Sequence, residues 1–359
     1  MNNKKWISIY LIIIVIGLGF VMGLSAYVDP YFHYHKPVAS LKYELTNQRS
    51  QNDGILKHFD YSGIITGTSM TENFKTSEAD KLFGAEFVKT PFSGGSYKEI
   101  SQEVEKGIKS QEEVKYVIRS LDRFALLCAD KDDMRNELGT HPTYLYDNNI
   151  FNDVKYVFNK DILFNIDLPL LMERSKGEKG GITSFDEYCN WSDSFEYGKE
   201  AVLGDRESFE KSKEISPLTD EELDMVKGNV KQNIIDLANK YPDVQFYYFL
   251  PPYSIVWWGD MYTQGTIEKQ IQMEKAAIEE ILNNSNIKLF GFDDNFDLIT
   301  NLDNYKDKLH YGEWINSDML YNMKNETGLL TLDNYEEYLN NVYEFYSNYD
   351  YESIFEENK

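Results

Sequence analysis

Gly63-Ile64-Ile65-Thr66-Gly67-Thr68-Ser69-Met70 is the stretch on which the reading of this chain turns. A short apolar run ends in Gly-Thr-Ser, and a segment of helical character follows. Open α/β folds keep their binding sites at the carboxyl ends of parallel strands, so this pattern puts the Ser69 hydroxyl at such an edge. Further apolar runs recur downstream. Strands are predicted over 62–66, 86–90, 114–119, 244–250 and 287–292. Helical patterns lie between and after them, and three capping boxes mark starts: Ser77 with Asp80, Ser96 with Glu99, and Thr219 with Glu222. Strand–helix alternation of this kind predicts an α/β fold, with a parallel sheet covered by helices on both faces.

The amino terminus carries a different signal. Lys4 and Lys5 precede an apolar run from Trp6 to Val28. A bilayer-spanning helix needs about 20 such residues, whereas the apolar core of a cleaved signal peptide has only about 7–15. The run is therefore read as a retained anchor. Positive charge before it and an acidic bulk after it place the amino terminus in the cytoplasm and the domain outside. The expected organisation is a stub and anchor over 1–28, a juxtamembrane linker over 29–57, a catalytic domain over 58–329 with an insertion over 124–216, and an acidic tail over 330–359 that partly docks.

Composition narrows the function. The formal charge of −24 argues against a nucleic-acid binder, which needs a basic stripe. Cys128 and Cys189 are read as two separate thiols, although they would be able to pair outside the cell. No Cys/His pattern suggests a metal site, no cofactor motif is present, and the His33-x-His35 pair lacks partners for a ligand set.

The chemistry rests on three residues far apart in sequence. A serine hydroxyl is a weak nucleophile unless a base takes its proton, and that base needs a third group to orient it. Asp307-Lys308-Leu309-His310 offers both, with His310 as base and Asp307 as its orienting carboxylate. An acyl oxyanion also needs donors, for which the backbone N–H of Ser69 and the glycine loop at Gly94 and Gly95 are candidates. Asp122, Tyr253, Trp257 and Trp258 follow the third and fourth strands and are candidates for binding substrate, the tryptophans by stacking on a sugar ring.

With these residues in place the chain resembles the SGNH (GDSL-like) hydrolase superfamily over roughly Tyr61 to Met323. It looks most like the membrane-anchored bacterial branch that includes alginate O-acetylation proteins and the D-alanine transfer protein of teichoic acid modification. The first block matches at Gly67-Thr68-Ser69, the second at Gly94 or Gly95, and the last at Asp307 and His310. The third block departs. Where the superfamily often has Gly-x-Asn-Asp, with Asn donating to the oxyanion, this chain has Ser120-Leu121-Asp122-Arg123. The resemblance implies a three-layer α/β/α sandwich on a mostly parallel five-stranded sheet, and a Ser-linked acyl enzyme that adds or removes an O-acyl group, acetyl in the first instance, on a cell-surface polysaccharide. It also implies an integral-membrane O-acyltransferase as partner. The altered third block favours an alternative, a non-catalytic SGNH-like protein that binds polymer or assembles with such a partner.

Overall fold

A computed structural model describes residues 3–128 and 142–356. The chain divides into two compact units, one of Met1–Phe59 with Thr140–Ser184 and one of Asp60–Gly139 with Phe185–Lys359. In chain order the strands are β1 (Lys42–Tyr43), β2 (Gly63–Gly67), β3 (Phe87–Pro91), β4 (Tyr116–Ser120), β5 (Gly181–Ile182), β6 (Gln245–Phe249), β7 (Ile287–Phe290) and β8 (Leu329–Leu330).

The larger unit is an α/β fold on a six-stranded sheet in the order β3-β2-β4-β6-β7-β8. All neighbours pair parallel except β7 and β8, which pair antiparallel. The expected sheet of five strands is thus corrected to a mixed sheet of six. The sixth strand, only two residues long, offers no periodicity to read. Ile64, Ile65, Val117, Ile118, Phe246, Phe249, Leu289 and Phe290 are fully buried. These near-continuous apolar runs are what a sheet covered on both faces requires. Burying each such side chain contributes about 1.5–3 kcal/mol.

Strand order reverses at β2, which lies between β3 and β4. In open α/β sheets the crevice outside such a reversal is where ligands bind. Ser69 follows β2 and Asp122 follows β4, so the topology alone brings both to that crevice.

The helices follow from their caps. Ser96 accepts from the Glu99 N–H at 3.0 Å and opens Tyr97–Ser110. Thr219 and Glu222 form a complete capping box before Asp220–Val230. The box expected at Ser77 and Asp80 does not form. That helix starts at Thr76, and the Asp80 carboxylate instead accepts from the Phe87 N–H at 2.7 Å, tying it to β3. Ile255–Gln264 is a helix the periodicity did not reveal, because Trp257 and Trp258 obscure its apolar face. Tyr335–Asn348 buries Tyr338, Leu339, Val342 and Tyr346, so the acidic tail carries a docked helix.

The smaller unit begins with the helix Asn3–Val28, which is long and apolar enough to cross a membrane. At 1.5 Å per residue its 26 residues span about 39 Å. The stretch 29–57, expected as a linker, is packed instead. Its helix Gln48–His58 buries eight residues, Asn47 caps it by accepting from the Ser50 N–H, and β1 pairs with β5. Residues 140–184, expected within an insertion of the catalytic domain, belong to this same unit. The reason is a buried carboxylate. Asp29 accepts from the backbone N–H groups of His33, Tyr34 and His35 and from the Tyr156 hydroxyl. The His33-x-His35 pair thus belongs to an Asp-capped turn.

Candidate active site

Gly67 ends β2 with φ +143°, and a Cβ there would lie 2.3 Å from Ser120 Oγ and 2.8 Å from Thr71 Cγ2. Only glycine fits so close an approach at that backbone conformation. Thr68 then caps a 3-10 turn over Ser69–Thr71, its Oγ1 accepting from the Met70 N–H. From below, the fully buried Lys89 on β3 donates to the Glu72 and Phe74 carbonyls at 2.5 and 2.9 Å. Burial pushes its ammonium down to about 8.

The half-buried Ser69 meets the Asp307–His310 turn here. Ser69 Oγ lies 2.8 Å from His310 Nε2. His310 Nδ1 lies 3.0 and 2.8 Å from the two Asp307 carboxylate oxygens. A ring nitrogen facing a carboxylate is the donor, so Nε2 is left to accept the serine proton. Asp307 Oδ1 also accepts from the Leu309 and His310 N–H groups at 2.8 and 2.9 Å. Burial raises the Asp307 pKa, but the hydrogen bond and charge of His310, with these backbone donors, outweigh it and hold the carboxyl at about 2. Ser254 anchors the turn, its N–H and hydroxyl both donating to the Lys308 carbonyl.

The expected oxyanion donors separate. Gly94, at φ +65°, sits in a turn closed by the Gly95 N–H donating to the Phe92 carbonyl at 2.7 Å. The Gly95 N–H is therefore spent and leaves the candidate set. Among the described residues, no protein acceptor takes the backbone N–H of Ser69 or of Gly94.

Asp122 has a role the sequence did not assign. It is 1% exposed, so it offers no surface to a substrate. Its Oδ2 accepts from Thr68 Oγ1 at 2.8 Å and Ser120 Oγ at 2.7 Å, and its Oδ1 from the Tyr253 hydroxyl at 2.9 Å. Ser120 Oγ in turn accepts from the Thr68 N–H. Desolvation raises the Asp122 pKa, while the three hydroxyl donors and His310 oppose it. Thr68, the residue before Ser69, is thus pinned through its side chain to one buried carboxylate and through its N–H to Ser120, which bonds the same carboxylate.

Two of the other proposed substrate contacts are also corrected. Tyr253 is buried, with its hydroxyl on Asp122, and Trp258 is fully buried, stacked flat on Tyr346 at 4.2 Å. Together with the half-buried Trp257 they surround the Arg123 guanidinium. Arg123 itself pairs with Glu274 at 2.7 Å and with Asp293, and donates to the Pro251 carbonyl. These aromatics desolvate a buried ion cluster, and the burial of Tyr253 and Trp258 leaves those two no free face for a sugar, while Trp257 stays partly exposed.

The site gains residues that the sequence had left inside the irregular insertion. Trp191 stands edge-on to His310, ring centroids 5.6 Å apart, with its indole N–H donating to Glu72 Oε2 at 2.7 Å. Asn73 accepts from the Trp191 N–H and donates to the Tyr311 carbonyl. Lys306 lies over the Trp191 and Phe195 rings at 3.8 and 3.7 Å. No motif or periodicity marks this wall; only the fold brings 191, 195 and 306 beside His310. Neither Cys128 nor Cys189 is in a disulfide.

No protein-family model and no curated protein matches the chain. Among solved structures, one described as "a putative platelet activating factor from Streptococcus pneumonia" aligns over 78% of this chain and 90% of its own, at 12% identity and a TM-score of 0.37. A likeness of that size carries no weight for this chain's fold or function.

Proposed function

We propose that this protein is a membrane-tethered serine acyltransferase or esterase of the SGNH type, built as a three-layer sandwich with its catalytic unit outside the cell. The observation that carries the reading is the unbroken Ser69–His310–Asp307 relay at the carboxyl edge of the sheet. In the proposed reaction His310 Nε2 takes the Ser69 proton as Oγ attacks an ester carbonyl. The imidazolium, stabilised by Asp307, returns the proton to the leaving alcohol, and an acyl-serine remains. The Ser69 N–H, with Gly94 beside it in the donor set, supports the oxyanion. A polysaccharide hydroxyl or water, deprotonated by His310, then takes the acyl group. The substrate class is an O-acyl ester, acetyl in the first instance, on a cell-surface polysaccharide. A bilayer tether raises the local concentration of a membrane-bound acyl donor, which fits an integral-membrane O-acyltransferase as partner.

The test is aryl acetate hydrolysis by the full-length protein in detergent, with Ser69→Ala as control, joined to polysaccharide O-acyl content in cells carrying each form. Hydrolysis lost in Ser69→Ala supports the enzyme. Reduced acylation in the variant cells indicates a transferase and increased acylation an esterase. Unchanged acylation together with no hydrolysis overturns the reading. That outcome favours the non-catalytic assembly protein, whose one supporting observation is that Asp122 stands where an oxyanion-donating Asn is frequent and cannot donate as a carboxylate.

A further inference from the structure

Outside the N-terminal helix, large apolar side chains exposed to solvent are not evenly spread. Among the described residues there are thirteen, and six of them fall within 150–172: Ile150, Phe151, Val154, Phe158, Phe164 and Met172. Ile150 and Phe151 are 73% and 85% exposed, and Phe164 is 63% exposed. A concentration of this kind marks a contact surface, whereas single exposed apolar residues need no explanation. The segment is well held from behind. Tyr156, Val157, Ile162 and Leu145 form a buried cluster with Tyr31 and Tyr34 packed against it. The outward apolar residues are therefore not the exposed half of an unfolded stretch.

The same stretch of chain is tied to the end of Asn3–Val28 and the residue after it at three points, two from within 150–172 and one from Arg174 just beyond it. Ser25 Oγ donates to Asp167 Oδ2 at 2.9 Å, Arg174 Nη1 donates to the Tyr27 hydroxyl at 2.7 Å, and the Tyr156 hydroxyl donates to Asp29 Oδ1 at 2.8 Å. Both the short helix Val154–Val157 and the π-helical turn Leu163–Asp167 contact the N-terminal helix. These bonds fix the height of the segment at the point where that helix would leave the bilayer. Charge agrees with the placement. Residues 150–172 hold two basic and three acidic side chains, in a chain whose formal charge is −24. A nearly neutral segment escapes most of the repulsion that an anionic membrane surface exerts on the rest of the chain.

We propose that residues 150–172 are a second membrane contact, whose exposed aromatic and aliphatic side chains enter the headgroup–acyl boundary beside the exit of the N-terminal helix. Interfacial elements of this kind bury their apolar face about 5–10 Å into that zone. The contact would turn a one-point tether into a two-point seat and fix the orientation of the smaller unit on the leaflet. The inference rests on the reading of Asn3–Val28 as a membrane anchor, and the experiment separates the two. Full-length protein in a Cys128→Ser, Cys189→Ser background is placed in phosphatidylcholine–phosphatidylglycerol nanodiscs with one spin label, at Phe151→Cys, Phe164→Cys or Val15→Cys. Depth is read from the ratio of oxygen to nickel-chelate collision rates, against a water-soluble label as the aqueous reference. The expected result is a deep Val15 label, with the Phe151 and Phe164 labels shifted from the aqueous value to the interfacial range. Aqueous values at both phenylalanine sites beside a deep Val15 label overturn the second contact alone. If those labels become shielded only in native membranes, the surface seats a protein partner instead, which also overturns it. An aqueous Val15 label overturns the anchor and the seat together.

Discussion

Replacing Asp122 tests how the nucleophile is positioned without touching it. Asp122→Ala removes the acceptor from the Thr68, Ser120 and Tyr253 hydroxyls at once. Hydrogen bonds to a charged acceptor contribute about 1.5–3 kcal/mol each. Removing a buried carboxylate, whose desolvation costs several kcal/mol, offsets much of that sum. The net destabilisation expected is about 2–4 kcal/mol. The effect on rate arises through Thr68, which holds the turn that carries Ser69. A shift of about 1 Å at Ser69 is enough to lower kcat about 10²-fold. Asp122→Asn is the discriminating variant. Its oxygen retains Thr68 and Ser120, and its amide donates to the Tyr253 hydroxyl, so kcat should stay within about tenfold of wild type. Both are measured with an aryl acetate under saturation, alongside thermal unfolding. The positioning argument fails if Asp122→Ala unfolds at lower temperature yet keeps wild-type kcat, because the network then serves stability only.

Three further outcomes follow from the geometry. Asp307→Asn should lower kcat by about 10²–10⁴-fold with little change in KM, since it orients the base and touches no substrate. Because Asp307 is held at about 2, below its ordinary 3.8, its stabilising charge is complete above the ordinary value and fades only as pH falls through about 2. Asp307 should therefore add no proton to the acid limb of the rate above about pH 3, and a limb there that is lost in Asp307→Asn would refute this assignment. Gly67→Ala should cost about 1–3 kcal/mol in denaturant unfolding and abolish labelling of Ser69 by a serine-reactive probe, because its Cβ meets Ser120 and Thr71. In the smaller unit, burial followed by the opposing Ser25 hydrogen bond and the Asp29 charge leaves Asp167 raised to about 6. A raised carboxyl favours the folded state at low pH and loses that advantage as pH rises from about 4 to about 6. Asp167→Asn should accordingly raise thermal stability at pH 7.5, by about 1–2 kcal/mol after allowance for solvent screening, and leave it unchanged at pH 4.

What the sequence made legible follows from how local each signal is. The strand ending at Gly67 and the Asp307–His310 spacing could be read because each obeys a short rule, an apolar run in one case and a carboxylate three residues before an imidazole in the other. Their meeting could not be read from either alone. It depends on the order β2-β4-β6-β7 and on Ser254 after β6, which holds the Asp307–His310 turn, and both are set by long-range packing. The glycine loop was legible as a turn, but not which N–H the turn consumes; the Phe92 carbonyl takes that of Gly95. Tyr253 and Trp258 misled because aromatic residues at a strand end look alike whether they face a cleft or enclose a buried guanidinium. Arg123 decides between those, and its partners Glu274 and Asp293 come from distant elements. The stretch 29–57 looked like a linker because it is polar. Its polar groups are satisfied internally, by Asp29 and Asn47 in particular, and composition does not register that. Trp191 lies in a segment with no periodicity, so its place beside His310 had no signal to find.

The central claim is that Ser69 is a nucleophile activated by His310. Intact-mass and peptide mass spectrometry after treatment of the full-length protein with a fluorophosphonate probe tests it most directly. One adduct, located on Ser69 and lost in His310→Ala while the variant remains folded, is the predicted result. No adduct on the folded wild-type protein, or one that persists undiminished in His310→Ala, would contradict the account.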